Sequence, residues 1–487
     1  MHLTVCRLER YVLSDTMEPS QKGQVTVMGS IVFLILAGLE IILAVLTCTK
    51  GKEKGVFCKN RVLVHAVQVL AAGIAFLLPF GQKWRFIPVL GFLLLLLAVS
   101  SLILLIKGKK AEGTKKPAGA VVSCVLCIIA IGIFLLPAFL FTGYKGLPVS
   151  GNYRIGETSA ILIDRSRTDP FETDGSFREV PVHFFYPEST ENNDEKFPLV
   201  VFSHGAFGYY QSNTSTYMEL ASNGYVVAAL DHPHHAFFTE DTDGKMVLVD
   251  QGFLNTALQV SGEPGDGSAG EQLEIYREWM DLRTADMGFV LDELKRAGQE
   301  KALNENWFLT DNAGDTISAI LNMTDLTRIG LMGHSMGGAT SIALGRERDD
   351  IAAVIDIDGT MLSEYTGVED GMLTVNEQPY EVPALEFVNW DTYNELAAGM
   401  EEYRAEGGRY PNEELMQHAA AGFSTTIRDT RHMDFTDLPL LSPFLGNMLG
   451  SGERDKAETM TIVNTLILQF YDCYLKGEGT FSAEDIY

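Results

Sequence analysis

Beyond residue 150 the chain is almost without cysteine and short of positive charge. Of its six cysteines, Cys6, Cys48, Cys58, Cys124 and Cys127 fall within the first 150 residues and only Cys473 follows. The C-terminal part therefore holds no internal disulfide, a condition compatible with either side of a membrane. Residues 1–150 carry 16 Lys+Arg and 6 Asp+Glu, a net of +10; subtraction from the totals of 37 and 64 leaves 21 and 58, a net of −37, and the two sum to −27. So acidic a surface argues against nucleic acid as a partner. The glycine-rich stretch 262–270 (Gly-Glu-Pro-Gly-Asp-Gly-Ser-Ala-Gly) lacks the G-K-[ST] ending of a phosphate loop, which argues against nucleotide binding. No internal repeat is present. Nothing in the chemistry read below requires a cofactor or a metal.

What the first part does have is apolar length. Runs at 25–47, 62–80, 87–106 and 120–142 are each 19–23 residues long with almost no charge, enough to cross a hydrocarbon core of about 30 Å as helices. The loops at 49–61 and 107–119 hold five basic residues each. They share one side, expected to be cytoplasmic, which turns both termini outward. The expected organisation is an N-terminal tail at 1–24, an all-α four-span region at 25–147, and a domain at 148–487 outside the cell. Glu40 is the one carboxylate inside a span; it reads as a packing or protonated residue that His65 or Gln68 can meet by hydrogen bonds.

From residue 153 short apolar runs alternate with helical stretches, the pattern of an α/β fold with a mainly parallel sheet. Strands are expected at 180–186, 198–203, 225–230, 328–332, 352–357, 384–389 and 424–428, and helices at 276–294 and 458–474. Residues 254–272 read as a solvated loop, and the polar segment 392–421 as an inserted lid. Within this frame Gly333-His-Ser-Met-Gly337 is a G-x-S-x-G turn between an apolar strand and a small-residue helix, the context of a nucleophile elbow centred on Ser335. Bulk at Gly333 or Gly337 would meet neighbouring backbone. A serine hydroxyl needs a base and a carboxylate that holds the base, in the chain order serine, acid, histidine. His418 and His432 follow Ser335. His432 comes directly after the last expected strand and is preferred; His418 sits in a helical stretch. Asp358, at the carboxyl edge of the strand after the elbow helix, is the expected acid; Asp356 lies deeper, and Asp391 is the runner-up. Oxyanion donors are expected from the backbone N–H of Met336 and, in Phe202-Ser-His-Gly-Ala-Phe-Gly208, of Ala206, with His204 shaping that loop. Asp231-His-Pro-His-His235 reads as loop packing in preference to a metal cluster. Val354-Ile-Asp-Ile-Asp-Gly-Thr360 has the form of a phosphotransferase D-x-D-G-T strand, yet it falls one strand after an intact elbow.

Phe-Ser-His-Gly, Gly-His-Ser-Met-Gly-Gly-Ala-Thr, Asp-Ile-Asp-Gly-Thr-Met and Arg-His-Met-Asp-Phe-Thr-Asp together resemble the plasma-type platelet-activating factor acetylhydrolase family, α/β-hydrolases related to dienelactone hydrolase. The resemblance spans about residues 180–475 and leaves the apolar N-terminal part outside it. In that family the acid lies 23 residues after the serine, which here is Asp358; Gly359-Thr360 stands where the family has Ala-Trp. The resemblance implies the α/β-hydrolase fold and a serine esterase of the 1-alkyl-2-acetylglycerophosphocholine esterase kind. It also implies the triad Ser335, Asp358 and His432 with Ala206 and Met336 at the oxyanion, and short or oxidised acyl groups of phospholipids as substrates. The expected partners are thus a lipid bilayer and an ester or phospholipid. Two rivals stand beside it: an acyltransferase to a lipid or wall acceptor, and a non-catalytic receptor or scaffold on a hydrolase fold.

Overall fold

The computed structural model of the protein describes residues 19–49, 53–77, 83–107, 114, 116–142, 144, 146–188, 195–260, 268–309, 313–405 and 407–487. The chain divides into two compact units, residues 1–145 with 440–446, and residues 146–439 with 447–487.

The first unit is built on helices α1 (Pro19–Thr49), α2 (Lys54–Leu77), α3 (Ile87–Lys107) and α4 (Pro117–Phe134). The segments Gly29–Thr49, Lys54–Leu77, Lys83–Ile106 and Pro117–Phe134 are long and apolar enough to cross a membrane. Small and branched residues meet inside: Leu36 of α1, Ala72 of α2, Val89 and Leu93 of α3 and Ile131 of α4 are all fully buried. The outer face is as apolar as the inner, with Leu34 at 68% and Leu105 at 79% exposure, the reverse of a bundle made for water. Three boundaries differ from the sequence reading. α1 begins at Pro19, inside the expected tail, because proline at a helix start loses no hydrogen bond; residues 1–18 lie outside the described residues. α2 begins eight residues early, absorbing Lys54, Lys59 and Arg61 into its first turns, while Lys50 and Lys52 lie outside the described residues. α4 ends at Phe134, and a five-residue helix follows, because Pro137 cannot donate to the turn before it.

The second unit is a nine-stranded sheet in the order β13-β12-β9-β8-β3-β4-β2-β1-β7. Its strands are β1 (Arg154–Thr168), β2 (Phe177–Glu188), β3 (Phe197–Ser203), β4 (Val226–Leu230), β7 (Trp307–Phe308), β8 (Thr324–His334), β9 (Ala353–Ile357), β12 (Ala384–Asn389) and β13 (Gly422–Ile427). Two small hairpins, β5 (Phe238–Glu240) with β6 (Met246–Leu248) and β10 (Tyr365–Glu369) with β11 (Met372–Val375), stand apart from it. From β13 to β4 every pairing is parallel; β2, β1 and β7 add antiparallel strands at one edge. This is the α/β-hydrolase arrangement read from the sequence. The central strands are apolar on both faces because helices cover both. In β3, Leu199 and Val201 enter one core with Leu291 and Leu294 of the long helix α6 (Ala269–Glu300), whereas Val200 and Phe202 enter the other with Val463 and Leu466 of α10 (Lys456–Tyr474). The helix after the elbow, α7, spans Met336–Glu347.

The solvated loop expected at 254–272 is overturned at both ends. Helix α5 runs Gln251–Val260, burying Phe253 and Ala257, and α6 starts at Ala269 on a Ser268–Glu271 capping box; residues 261–267 lie outside the described residues. The segment expected as a lid is the crossover between the parallel neighbours β12 and β13. It consists of α8 (Trp390–Ala405) and α9 (Pro411–His418), and α9 sends Asn412 and Leu415 into the interior.

Charge is also buried at the edge of this sheet. Arg178 of β2 is wholly inside and donates to Asp169 Oδ2 at 2.9 Å, to Asp286 Oδ2 at 2.8 Å and to the Pro233 carbonyl at 3.1 Å. Arg167 reaches the same Asp286 at 2.9 Å. Buried pairs of this kind are costly to break from one side, because the partner charge is left without water or counter-ion. Arg178→Ala is therefore expected to destabilise the domain by about 3–5 kcal/mol. Arg154→Ala, which removes an exposed pair with Glu188, should leave denaturant unfolding curves unchanged within error.

Candidate active site

Ser335 joins β8 to α7 with φ +56° and ψ −127°, a conformation that costs a non-glycine residue energy and needs support from every side. The support is steric. A Cβ on Gly333 would run into the Gly337 backbone, one on Gly337 into the Ser203 carbonyl, and one on Gly359 into the Ser335 carbonyl. The reading of Gly333 and Gly337 as positions without room is thus met, and Gly359 joins them. Ser335 N–H donates to the Ile357 carbonyl at 2.8 Å, so the turn is tied to the strand that carries the acid.

Asp358 leaves β9 with φ +60° and is surrounded by donors. It accepts Asn389 N–H at 2.6 Å, Asn389 Nδ2 at 3.1 and 3.0 Å, and His432 Nδ1 at 2.6 Å. Burial works to raise its pKa, but these hydrogen bonds and the adjacent imidazole hold it below the usual carboxylate range. The His432 side chain remains 43% exposed, while that of Asp358 is 4% exposed. His432 is thus a reachable ring oriented from behind by a buried carboxylate. The other candidates are elsewhere. Asp391 pairs with Arg431 at 2.8 Å on the surface, and His418 bonds back to the Glu414 carbonyl of its own helix.

Three residues escaped the sequence reading: Asn389, His334 and, beneath the oxyanion loop, Arg283. Asn389 ends β12 and donates to both oxygens of Asp358, sharing Oδ2 with His432; an Asn at a strand end carries no signal by itself. His334, inside the elbow, lies with its ring 4.6 Å from that of His432 and its Nε2 3.2 Å from the His432 carbonyl. Burial and the neighbouring His432 push its pKa down to about 3, so it stays neutral.

The loop expected to supply an oxyanion donor lies against the elbow, for a Cβ on Gly205 would come within 3.1 Å of Ser335 Cβ. Among the described residues the N–H groups of Ala206 and Met336 donate to no other protein group, whereas Phe207 N–H is held by the His235 carbonyl at 3.1 Å. The loop is fixed from beneath by Arg283 of α6, which is fully buried and donates to the His204 carbonyl at 2.6 Å and to His235 Nδ1 at 3.2 Å. His204 shapes the loop as expected: its Nδ1 meets the Gly205 carbonyl at 2.6 Å and its Nε2 accepts His232 N–H at 3.1 Å. The run Asp231–His235 is spent on separate contacts. His232 bridges Ser203 Oγ at 2.8 Å and Asp286 Oδ2 at 3.0 Å, and Asp231 accepts Tyr210 N–H at 2.7 Å. Ser203, His232 and Asp286 thus form a second hydrogen-bonded chain of the same residue types, but all three are wholly buried or nearly so and no substrate can reach them.

Below Asp358 sit two more buried carboxylates. Asp356 is fully enclosed, accepts Gly359 N–H at 3.0 Å, and is driven well above the ordinary carboxylate pKa by burial, Glu386 and Asp358. Glu386 accepts Asn412 Nδ2 at 2.5 Å and Ser424 Oγ at 2.9 Å, yet burial raises its pKa to about 7. A nucleophilic role for Asp356 would need access that its enclosure denies.

A sequence model of platelet-activating factor acetylhydrolase, isoform II, matches residues 179–485. The platelet-activating factor acetylhydrolase of Gallus gallus is 25% identical over 311 residues, covering 60% of this chain and 65% of that protein. That of Cavia porcellus is 23% identical over 315 residues, covering 62% of each. The chain thus spans just under two thirds of the length of these curated relatives. Among solved structures, a ferulic acid esterase from Streptomyces cinnamoneus superposes with a TM-score of 0.47 at 21% identity, over 68% of this chain and 93% of its own.

Two outcomes follow from the geometry. Asn389→Ala removes the two side-chain contacts to Asp358 while keeping the backbone N–H at 2.6 Å, and, on the esterase reading set out below, is expected to lower kcat by about 10-fold to 10²-fold with little change in KM, read from steady-state ester hydrolysis. Glu386 has a folded pKa of about 7 against 4.5 for the free group. The folded state therefore binds its proton more tightly, and the stability this contributes is complete below pH 4.5 and lost as pH rises through 7. The stability of Glu386→Gln relative to wild type should accordingly rise over that window, on the order of 3 kcal/mol, in denaturant titrations at pH 4.5 and 8.

Proposed function

We propose that this chain, which belongs to the platelet-activating factor acetylhydrolase, isoform II, family, is a membrane-anchored serine esterase whose catalytic domain lies outside the cell. The observation that carries the reading is the 2.6 Å contact of His432 Nδ1 with buried Asp358, beside a serine held at positive φ by glycines that leave no room for a side chain. Ser335 attacks the acyl carbon of an ester while His432 takes its proton, and Asp358 holds the imidazole in the tautomer that presents Nε2. The negative charge on the carbonyl oxygen is met by the N–H groups of Met336 and Ala206, preorganised by the start of α7 and by the Arg283 clamp. His432 returns the proton to the leaving alcohol, and water repeats the sequence on the acyl-enzyme.

For substrate, the relatives' printed name, platelet-activating factor acetylhydrolase, supports an ester with a short acyl group on a glycerophospholipid. An apolar cluster beside the oxyanion loop suits the acyl end: Phe207, Phe253, Trp279 and Met336 pack together there. The four apolar helices would keep the enzyme at the surface where such lipids reside. Outward orientation rests on the basic loops between them.

A membrane-impermeant fluorophosphonate applied to intact cells tests both parts. Wild type is expected to label and Ser335→Ala to remain unlabelled, with the purified variant losing about 10⁴-fold or more in kcat. Labelling only after lysis would reverse the orientation and keep the chemistry. Absence of labelling in detergent-solubilised wild type would remove the esterase assignment.

A further inference from the structure

The first unit contains a polar group that the esterase chemistry leaves unused. Glu40 of α1, His65 of α2 and Cys127 of α4 are each buried, and one ligand atom from each lies within 4.8 Å of the other two. The hydrogen bonds of His65 fix its tautomer. Its Nδ1 is 3.1 Å from the Leu96 carbonyl and 3.1 Å from Ser100 Oγ, whose own hydroxyl donates to the Leu97 carbonyl at 3.0 Å. Both neighbours act as acceptors, so Nδ1 carries the hydrogen and Nε2 of the neutral ring is a bare lone pair. Nε2 has no hydrogen-bond partner, and it stands 3.6 Å from Glu40 Oε1. Two lone pairs thus face each other in a buried place, which requires something positive between them.

A proton on Nε2 would draw the two atoms to about 2.7–3.0 Å, the length of a charge-assisted hydrogen bond. A tetrahedral ion with bonds of about 2.0–2.2 Å to nitrogen and oxygen would instead set them roughly 3.3–3.6 Å apart, the edge of its coordination tetrahedron. The observed 3.6 Å falls in the second range. A divalent ion with one carboxylate, one thiolate and a neutral imidazole sums to zero among its own ligands; Arg61, which lines the same small cavity as Glu40 and donates to Ser123 Oγ, adds one positive charge nearby. A ring whose far nitrogen donates to a backbone carbonyl is also the usual disposition of a metal-binding histidine. Gln68 donates to Glu40 Oε1 at 3.2 Å and to the Leu36 carbonyl at 3.0 Å, and its own amide oxygen is buried without a partner, a neutral donor available for a fourth position.

We propose that Glu40, His65 and Cys127 bind a divalent transition ion of the zinc class and that this ion cross-links α1, α2 and α4. A mixed imidazole, thiolate and carboxylate set excludes magnesium and calcium, which take oxygen ligands. The ion is structural, since the residues that would carry ester hydrolysis belong to the other unit.

The test is elemental analysis of the full-length chain, solubilised in detergent, purified without metal-affinity resin and equilibrated with zinc before removal of free ion. Wild type should retain about one zinc per chain. His65→Ala and Cys127→Ser should each lose it, and Cys58→Ser, on the same helix as His65 but outside the group, should keep it. Replacement by cobalt(II) should give a thiolate charge-transfer absorption that Cys127→Ser lacks. Wild type that retains no metal, or metal retained equally in both ligand variants, would overturn the proposal; in the first case the group is a Glu40–His65 ion pair. The wild-type result decides this even if a variant fails to fold, and neither readout depends on esterase activity, so failure here leaves the esterase reading untouched.

Discussion

The second unit depends on backbone approaching backbone where no side chain fits. Ser335 can stand at φ +56° only because Gly333 and Gly337 let the turn close on itself and Gly359 lets the acid-bearing turn press on the serine carbonyl. One constraint therefore sets two positions. The elbow aims the hydroxyl, and the same contact brings the end of β9 beside it, so Asp358 and its histidine share the serine's frame. Gly205 extends the arrangement to a third strand, since its bare Cα is what allows the oxyanion loop to lie on the elbow. Strain of this kind, of order 1–3 kcal/mol at a residue, persists only where the surroundings over-determine it. Here the sheet does so through β3, β8 and β9, three adjacent parallel strands.

Beneath that apolar frame the positioning is done by buried polar groups. Arg283 holds the oxyanion loop by its carbonyls, Arg178 holds Asp286, and Asp286 holds His232, which reaches Ser203 at the end of β3. His204 and His232 are kept neutral by burial and by the guanidinium nearby: His204 falls to about 3 and His232 to about 4. A network whose charges reside on Arg and Asp and whose histidines carry none keeps the same hydrogen-bond directions across the neutral pH range.

How much of this was legible varies with the physical signal. β3, β4 and β9 were readable because strands covered on both faces are nearly continuous apolar runs; in β9 the run also delivered Asp358 to the carboxyl edge. β1 was missed because it lies near the sheet edge, between β2 and β7, and only four of the fifteen residues of Arg154–Thr168 are buried, so its alternation is diluted by Glu157, Arg165 and Arg167. The site's backbone was legible through its glycines and its order of residue types. Asn389, His334 and Arg283 were not, since each acts through a contact between segments distant in sequence; His334 lies inside the G-x-S-x-G turn, but at one of its unspecified positions. The segment 392–421 was legible as polar and helical: the described side chains of α8 are mostly exposed, while Asn412 of α9 is buried to serve Glu386 and the Gly359 carbonyl, an internal partner that composition does not distinguish from a surface one.

The two units meet the same difficulty, a carboxylate removed from water, with different means. Asp358 is surrounded by four short contacts from donors on β12 and the His432 turn, enough to keep it ionised without any fixed positive charge in contact with it. Asp356 and Glu386 have fewer donors, and their pKa values rise instead. Glu40 has one amide donor, the Cys127 thiol and a histidine lone pair beside it, in a bundle whose interior is mainly apolar but also buries Arg85, Thr47 and Ser100. Helices that satisfy their own backbone have no spare N–H groups to offer a side chain, whereas strand ends and turns have several. A buried anion among helices must therefore be balanced by what lines it; here that is Arg61 on the same cavity, together with a thiol and an imidazole, ligand types that suit a transition ion.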